Sequence, residues 1–220
     1  MLFFTLFGCN IIGIEDGWQH GNVTQIKDFF TSTFLITPDD GSIILIDSGF
    51  NKEAKPIVNK LAEMGKAPED ISMIFFTHGH TDHVKGTPNF PNAEIYAIEQ
   101  EEEELAESDI SIDVFINNGD IIDLGDSKLE VFWMPGHTAG NAAFLIDDVL
   151  VFGDCAQGLK DNTLSPVDEG YSDDPRKAEK ELEKLADIFK QRETDISWLA
   201  FSHTGPIKGA QALLDFTAAD

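Results

Sequence analysis

Short apolar runs, each closed by polar or turn-forming residues, recur along most of the chain. Runs of this length that are rich in Ile, Val, Leu and Phe favour β-strands, and Asp39-Asp40-Gly41 is typical of the turn between two of them. The predicted strands occupy residues 23–37 (as successive strands), 42–47, 72–76, 94–98, 114–116, 121–124, 128–134, 141–146, 149–152 and 196–201.

Apolar residues at helical spacing predict helices between these strands, at residues 53–65, 99–106, 175–189 and 207–216. Asp174 is a suitable N-cap for the third of these helices, and Pro175 a suitable first residue. The acidic run at 101–104 indicates the solvated first turns of a helix. Residues 158–174 show no period and are long for a connection, which suggests function or flexibility.

Mixed strands and helices, with apolar strands in both halves of the chain, predict an α/β fold of two packed sheets with helices outside. No sequence repeat and no linker divides the chain. We therefore expect one large domain at residues 21–220, preceded by an N-terminal extension at residues 1–20.

The charge is strongly unbalanced: 40 acidic residues against 15 basic ones give a formal net charge of −25. Such a surface repels phosphate backbones, so we expect a small-molecule substrate and no nucleic acid. No apolar run reaches the roughly 18 residues that a membrane span needs. The oligomeric state is not indicated by the sequence.

The two cysteines, Cys9 and Cys155, are too few for a disulfide framework. Residues 6–9 resemble the lipobox of bacterial lipoproteins, in which the cysteine is acylated, but the apolar stretch is short and no basic residue precedes it. We expect a cytoplasmic protein, with a periplasmic or membrane-anchored lipoprotein held through Cys9 as the alternative. Cys155 is interpreted as a small buried residue.

Polar residues with metal-binding chemistry follow four of the predicted strands. His78, His80, Asp82 and His83 fall within six positions directly after one buried strand. Burying such groups is costly unless a cation is bound to them. His137, Asp154 and His203 each follow another strand, and side chains just beyond strand ends can converge on one edge. Together they suffice for two metal ions with open positions for water.

The motifs HxHxDH at 78–83, PGHTxG at 135–140, Gly153-Asp154 and Ser202-His203, with the weaker Asp47-Ser48-Gly49, resemble those of the metallo-β-lactamase superfamily. The resemblance implies a four-layer αβ/βα sandwich of two mixed β-sheets. It also implies that His78, His80 and His137 hold one metal ion, that Asp82, His83 and His203 hold a second, and that Asp154 bridges both.

The activity implied is that of a metal-dependent hydrolase of the glyoxalase II or lactonase-like branch. Two Zn²⁺ ions, with Fe or Mn as alternatives, would share a hydroxide that cleaves an ester, thioester or lactone bond. Asp82 would orient the hydroxide and carry its proton. The lactonase resemblance makes Tyr171, in the long loop, a candidate oxyanion donor.

Other activities remain open. True β-lactamases generally lack the bridging aspartate, so Asp154 argues against antibiotic hydrolysis. A mononuclear iron dioxygenase acting on glutathione persulfide uses an almost identical ligand set, and a silent binding module is the remaining alternative. The basic carboxy-terminal glutathione site of glyoxalase II has no counterpart here. His20 is expected to be a surface or loop residue, and Lys85 has no assigned role.

Overall fold

Two mixed β-sheets pack face to face, and helices cover both outer faces. The computed structural model describes residues 10–192 and 195–218 of the chain. The strands are β1 (Gln19–His20), β2 (Val23–Asp28), β3 (Thr31–Ile36), β4 (Ile44–Ile46), β5 (Met73–Phe75), β6 (Glu94–Ile98), β7 (Val114–Ile116), β8 (Ile121–Asp123), β9 (Lys128–Trp133), β10 (Ala142–Ile146), β11 (Val149–Val151), β12 (Gln157–Gly158), β13 (Leu164–Ser165), β14 (Trp198–Ala200) and β15 (Ile207–Lys208).

Most of the predicted helices are shorter in the structure. The α-helices are α1 (Lys55–Glu63), α2 (Thr81–Val84), α3 (Glu102–Ala106), α4 (Pro175–Gln191) and α5 (Gln211–Leu214). Single turns of 3₁₀ helix lie at Pro68–Asp70, Thr87–Asn89, Glu99–Glu101 and Glu169–Tyr171.

Both sheets contain parallel and antiparallel strand pairs. In the first sheet the order is β1-β2-β3-β4-β5-β6-β7, antiparallel up to β4 and parallel beyond it. The second sheet has the order β15-β14-β11-β10-β9-β8, with β11 and β14 as its parallel pair. Strands β12 and β13 form a separate two-stranded ribbon.

Three buried apolar clusters define the layers. Phe34, Phe75 and Phe144 lie in the cluster between the two sheets. A second cluster joins the outer face of the first sheet to α1, and a third joins the outer face of the second sheet to α4 and α5. Burying each large side chain contributes roughly 1.5–3 kcal/mol. The order helix, sheet, sheet, helix confirms the predicted αβ/βα sandwich.

Helix α4 begins as the sequence predicts. The Asp174 side chain accepts a hydrogen bond from the backbone N–H of Lys177, and Pro175 occupies the first helical position. Leu182, Leu185 and Phe189 face the second sheet. This helix therefore covers one outer face of the sandwich.

The predicted helix at 207–216 is only partly correct. Ile207 pairs with Leu199 as strand β15, and helix α5 is confined to Gln211–Leu214. Gly209, at φ +78°, separates the two elements. Strand pairing with β14 takes precedence over local helical spacing, a tertiary effect.

The N-terminal expectations are only partly covered by the structure. Residues 1–9, with Cys9 and the lipobox-like segment, lie outside the described residues. Residue 11 forms a bridge with Leu159, and β1 adds to the first sheet through β2. No helix in the described ranges is both long enough and apolar enough to cross the membrane.

Candidate metal centre

Seven side chains predicted from the motifs meet at one edge of the sandwich. His78 follows β5, and helix α2 carries Asp82 and His83 immediately after it. Strands β9, β11 and β14 run in the same direction, because β10 is antiparallel to both β9 and β11 while β14 is parallel to β11. Their carboxyl ends therefore bring His137, Asp154 and His203 to the same edge.

Three histidines form the first group, defined as His78, His80 and His137. The Nε2 atom of His137 lies 3.3 Å from Nε2 of His78 and 3.0 Å from Nδ1 of His80. Ligands about 2.0–2.1 Å from a tetrahedral zinc ion are separated by about 3.3 Å. The spacing of the three nitrogens therefore fits one metal ion.

The second group is Asp82, His83 and His203. Nε2 of His203 lies 3.3 Å from Oδ2 of Asp82, and Nε2 of His83 lies 3.5 Å from the same oxygen. Asp154 lies between the two groups, with its carboxylate 3.6 Å from Nε2 of His137 and 3.2 Å from Nε2 of His203. This position suits a carboxylate that contacts two cations at once.

Each imidazole turns one nitrogen toward the cluster and the other toward a partner outside it. Such outer partners fix the ring orientation and the tautomer of metal-binding histidines. Four outer partners are within hydrogen-bond distance: Thr77 Oγ1 for His78 (3.1 Å), Asp47 Oδ2 for His83 (2.8 Å), Ser172 Oγ for His137 (3.2 Å) and the Phe30 carbonyl for His203 (3.0 Å). The outer nitrogen of His80 faces Glu104 Oε1 at 3.9 Å, beyond hydrogen-bond distance.

Two buried atoms in the cluster are polar and lack a hydrogen-bond partner in the described part of the chain. They are Nε2 of His83 and Oδ1 of Asp154, which face each other at 3.5 Å. A buried polar atom without a partner is costly, and a bound divalent cation would satisfy both. The residues present therefore fit a metal centre.

The electrostatics differ between the two groups. Burial lowers the pKa of His137 to about 4, and burial together with His83 and His137 lowers the pKa of His78 well below its ordinary value. Both rings are thus neutral, the form that binds metal. Burial also opposes charge on His203, but Asp154 raises the pKa of His203 to about 10.

Asp47 supports the centre through contacts with Thr77 and His83. It is fully buried; Oδ1 accepts from the Thr77 backbone N–H, and Oδ2 accepts from Thr77 Oγ1 and pairs with Nδ1 of His83. Its backbone adopts φ +61°. The Asp47 motif, the weakest match in the sequence, thus connects the strand before it to the histidine segment.

A cavity of about 490 Å³ opens beside the centre, lined by His80, Asp82, Glu104, Tyr171 and Asp173, among others. The Tyr171 side chain is 70% exposed. It lies in the long loop at 158–174, which is not structureless but contains β12, β13 and a 3₁₀ turn.

An aromatic cluster, defined as Phe29, Phe30 and Phe50, lies beside His203. The Phe30 ring is stacked with the His203 ring, at 5.8 Å between centroids and 10° between planes, and it also contacts Phe29 and Phe50. Phe29 is 77% exposed. Lys85, without an assigned role in the sequence, lies over Phe50 at 4.4 Å from the ring centroid.

One important residue was not predicted. Glu101, part of the acidic run expected to be solvated, is 1% exposed and accepts hydrogen bonds from the loop of His78 and His80 and from the loop of His137. The only available signal was its spacing of four residues from the apolar Leu105, which places both on one helix face. Glu102 and Glu103 are exposed, as predicted.

His20 lies away from the centre, and Cys155 is a packed residue next to Asp154. His20 belongs to β1 and pairs with Asp148 at 2.9 Å, at the opposite end of β11 from Asp154. Cys155 is buried and accepts a hydrogen bond from Asn141 Nδ2, as expected for a packed residue. Burial raises the pKa of its thiol.

Comparison with known sequences finds a match to one superfamily and relatives that are named as hydrolases. The sequence model described as the metallo-beta-lactamase superfamily matches residues 26–198. A probable metallo-hydrolase of Methanocaldococcus jannaschii is 31% identical over 147 residues, 67% of each chain. Hydroxyacylglutathione hydrolase 1 of Vibrio vulnificus is 33% identical over 137 residues, 60% of this chain and 51% of the relative. The chain spans about half the length of the hydroxyacylglutathione hydrolases that it matches.

Solved structures share the fold. The subclass B3 metallo-beta-lactamase BJP-1 of Bradyrhizobium japonicum superimposes with a TM-score of 0.65 at 20% identity, over 87% of this chain and 78% of the other. A class B3 di-zinc metallo-beta-lactamase from an Alaskan soil metagenome gives a TM-score of 0.65 at 21% identity, over 87% and 79%. At these identities the similarity establishes the architecture of two sheets between helices.

Proposed function

Because the chain belongs to the metallo-beta-lactamase superfamily, we propose that this metal-dependent hydrolase cleaves an ester, thioester or lactone bond of a small substrate. The observation that carries the proposal is the convergence of His78, His80, Asp82, His83, His137, Asp154 and His203 with one nitrogen of every ring directed inward. The hydroxyacylglutathione hydrolases among the relatives support a thioester in particular.

The first group would hold one metal ion, Asp82, His83 and His203 would hold a second, and Asp154 would serve as a ligand shared by the two groups. Zinc is the proposed metal, because imidazole and carboxylate ligands suit it and a relative of the same fold is described as di-zinc. When bound, such a pair of ions supplies Lewis acidity and lowers the pKa of water toward neutrality.

Asp82 is the proposed catalytic residue. It belongs to the second group and also lines the open cavity, so its carboxylate reaches the reacting region as well as the cluster. A carboxylate in this position can therefore accept a hydrogen bond from the attacking water and orient it.

The surroundings of the centre support a substrate with an apolar acyl part. The aromatic cluster of Phe29, Phe30 and Phe50 offers ring surfaces directly beside His203. Tyr171 lines the same cavity as His80 and Asp82, where it can contact the substrate. Aromatic rings beside a polar centre are typical of small-molecule sites.

The test is a metal analysis of the purified protein followed by a substrate screen. We expect two zinc ions per chain and hydrolysis of a thioester, ester or lactone that is lost on chelation and restored by zinc. His203→Ala should lose metal and activity, whereas His20→Ala should retain both, because His20 lies at the other end of β11.

The alternatives have distinct outcomes. One iron ion per chain, with oxygen consumption on a persulfide substrate, would replace the hydrolase by a dioxygenase. Turnover confined to β-lactams would contradict the interpretation of Asp154. Protein that binds no metal under any condition would contradict the proposal as a whole.

A further inference from the structure

Glu101 is a buried carboxylate outside the proposed ligand set. It ends the 3₁₀ turn Glu99–Glu101 and is 1% exposed. Buried carboxylates are rare unless they are paired or hydrogen-bonded. In the described part of the chain, Glu101 forms no ion pair with a lysine or arginine; its hydrogen bonds come from loop residues instead.

These hydrogen bonds join two loops that carry histidines. Oε1 accepts from the backbone N–H of Gly79 at 2.8 Å, and Gly79 lies between His78 and His80. Oε2 accepts from the backbone N–H of Gly140 at 2.7 Å and from Thr138 Oγ1 at 2.9 Å, and Thr138 directly follows His137. A single planar carboxylate therefore spans the two loops that supply the first group.

Close packing at the two glycines supports this contact. A Cβ atom on Gly140 would lie 2.5 Å from the Glu101 backbone nitrogen and 2.7 Å from Oε2. A Cβ atom on Gly79 would lie 2.7 Å from Cγ of Glu104, one turn further along. Both loops thus approach this helical segment as closely as glycine permits.

The contact is restricted to one of the two groups. Within the described residues, Glu101 has no hydrogen bond or ion pair with Asp82, His83 or His203. A change at Glu101 should therefore alter the spacing of His78, His80 and His137 without directly disturbing the second group.

We propose that Glu101 is a positioning residue that holds the two loops of the three-histidine group at metal-binding distance. This role depends on the proposed function, because it requires a metal ion in that group. Partners outside the ligand set typically contribute 10- to 100-fold to metal affinity. Glu101 would make this contribution through the backbone of the loops rather than through a ligand ring.

Glu101→Gln is the informative substitution, because it preserves size while replacing one acceptor oxygen by an amide donor. If the amide oxygen serves Thr138 and Gly140, the NH₂ group faces the Gly79 N–H and leaves it without an acceptor. Glu102→Gln is the matched control, since it removes the same charge from an exposed neighbour. Thr138→Val removes only one of the three donors.

The experiment titrates metal-stripped full-length proteins with zinc against a chromophoric chelator, and records the visible spectrum of the cobalt(II) forms. For the wild type we expect two binding steps. Glu101→Gln should weaken one step by about 10- to 100-fold and change its cobalt spectrum, while the other step is retained. Thr138→Val should shift the same step less, and Glu102→Gln should leave both unchanged.

Other outcomes separate the two proposals. Wild-type protein without metal uptake overturns the proposed function and this role with it. Two wild-type steps that are identical in Glu101→Gln overturn the positioning role alone, as do equal losses in Glu101→Gln and Glu102→Gln, which would indicate long-range charge. Circular dichroism of the metal-free proteins checks folding; if Glu101→Gln does not fold, an unchanged affinity in Thr138→Val overturns the role.

Discussion

At the scale of single residues, the arrangement of the proposed ligands depends on the residues that contact their outer nitrogens. Asp47 and Ser172 hold the outer nitrogens of His83 and His137, so their inner nitrogens are directed at the cluster. Preorganised rings lose little side-chain entropy when a metal binds. These outer contacts explain why the inner nitrogens of the imidazoles are directed at the same position.

Asp154 offers the sharpest residue-scale prediction. Asp154→Asn should weaken the binding of both proposed metal ions and reduce turnover by more than about 100-fold. Loss of a ligand shared by two ions should cost more than loss of a residue that only contacts a ligand from outside. Zinc content at limiting metal and kcat measure the two effects. Asp148→Asn, at the opposite end of β11, removes an equal charge and should change neither.

Full zinc stoichiometry together with full turnover in Asp154→Asn would show that Asp154 is not shared between the groups. Loss of a single ion would assign Asp154 to one group only.

The sequence identified the ligand candidates because their residue types and order are unusual. It did not identify Glu101, since within an acidic run the four-residue spacing from Leu105 is only a weak sign of burial. Whether such a residue is solvated or enclosed depends on which loops pack against its helix, and here those loops come from positions 79 and 138–140. Tertiary contacts of this kind have no local sequence pattern.

At the scale of elements, the hairpin between β2 and β3 combines strain with exposure. Asp28 pairs with Thr31, which leaves Phe29 and Phe30 as the two central residues of the turn. Phe29 has φ +63°, a conformation that favours glycine at the first central position. A bulky, exposed residue held there has no folding advantage, and this supports a role in substrate contact.

Phe29→Gly should therefore weaken substrate binding without lowering the free energy of unfolding. Relief of a left-handed phenylalanine is worth about 1–2 kcal/mol, while the extra unfolded-state entropy of glycine opposes it by roughly 0.5–1 kcal/mol. We expect an unchanged or higher free energy of unfolding in urea. The KM for substrates with an apolar acyl chain should rise about five- to tenfold, since the lost ring contact is worth about 1 kcal/mol.

The exposed Phe115 on edge strand β7 provides the control, and Phe115→Ala should leave KM unchanged. An equal KM for wild type and Phe29→Gly, on both long and short acyl chains, would exclude the hairpin from substrate binding.

Elements with strong local patterns were predicted well, whereas the short strand β15, which depends on pairing with β14, was not. Helix α4 was predicted by its cap, its first proline and its apolar face, all of which lie within the segment itself. The segment at 207–216 was predicted as one helix, but Ile207 and Lys208 extend the second sheet beside β14. Sheet pairing depends on distant residues, and spacing within ten positions does not report it.

At the scale of the whole molecule, the negative net charge of the chain contrasts with the positive charge expected at the proposed metal centre. The chain carries a formal charge of −25, while the proposed centre would concentrate positive charge at one edge of the sandwich. Bound divalent ions reverse the field locally but leave the longer-range repulsion in place. A small substrate or a carboxylate product can thus bind, whereas an extended polyanion must cross a repulsive surface.

Substrate charge is accordingly the last property that we predict. Neutral or singly charged lactones and thioesters should be hydrolysed much faster than a single-stranded oligonucleotide. Repulsion mainly slows encounter, and it is screened over about 30 Å at 0.01 M salt but only about 10 Å at 0.1 M. Raising the salt concentration should therefore leave thioester hydrolysis nearly constant and increase any residual cleavage of the oligonucleotide. The measurement compares kcat/KM for the three substrates at both ionic strengths, with chelated protein as the blank. Oligonucleotide cleavage that is faster than thioester hydrolysis, and fastest at low salt, would contradict this prediction and indicate a nuclease.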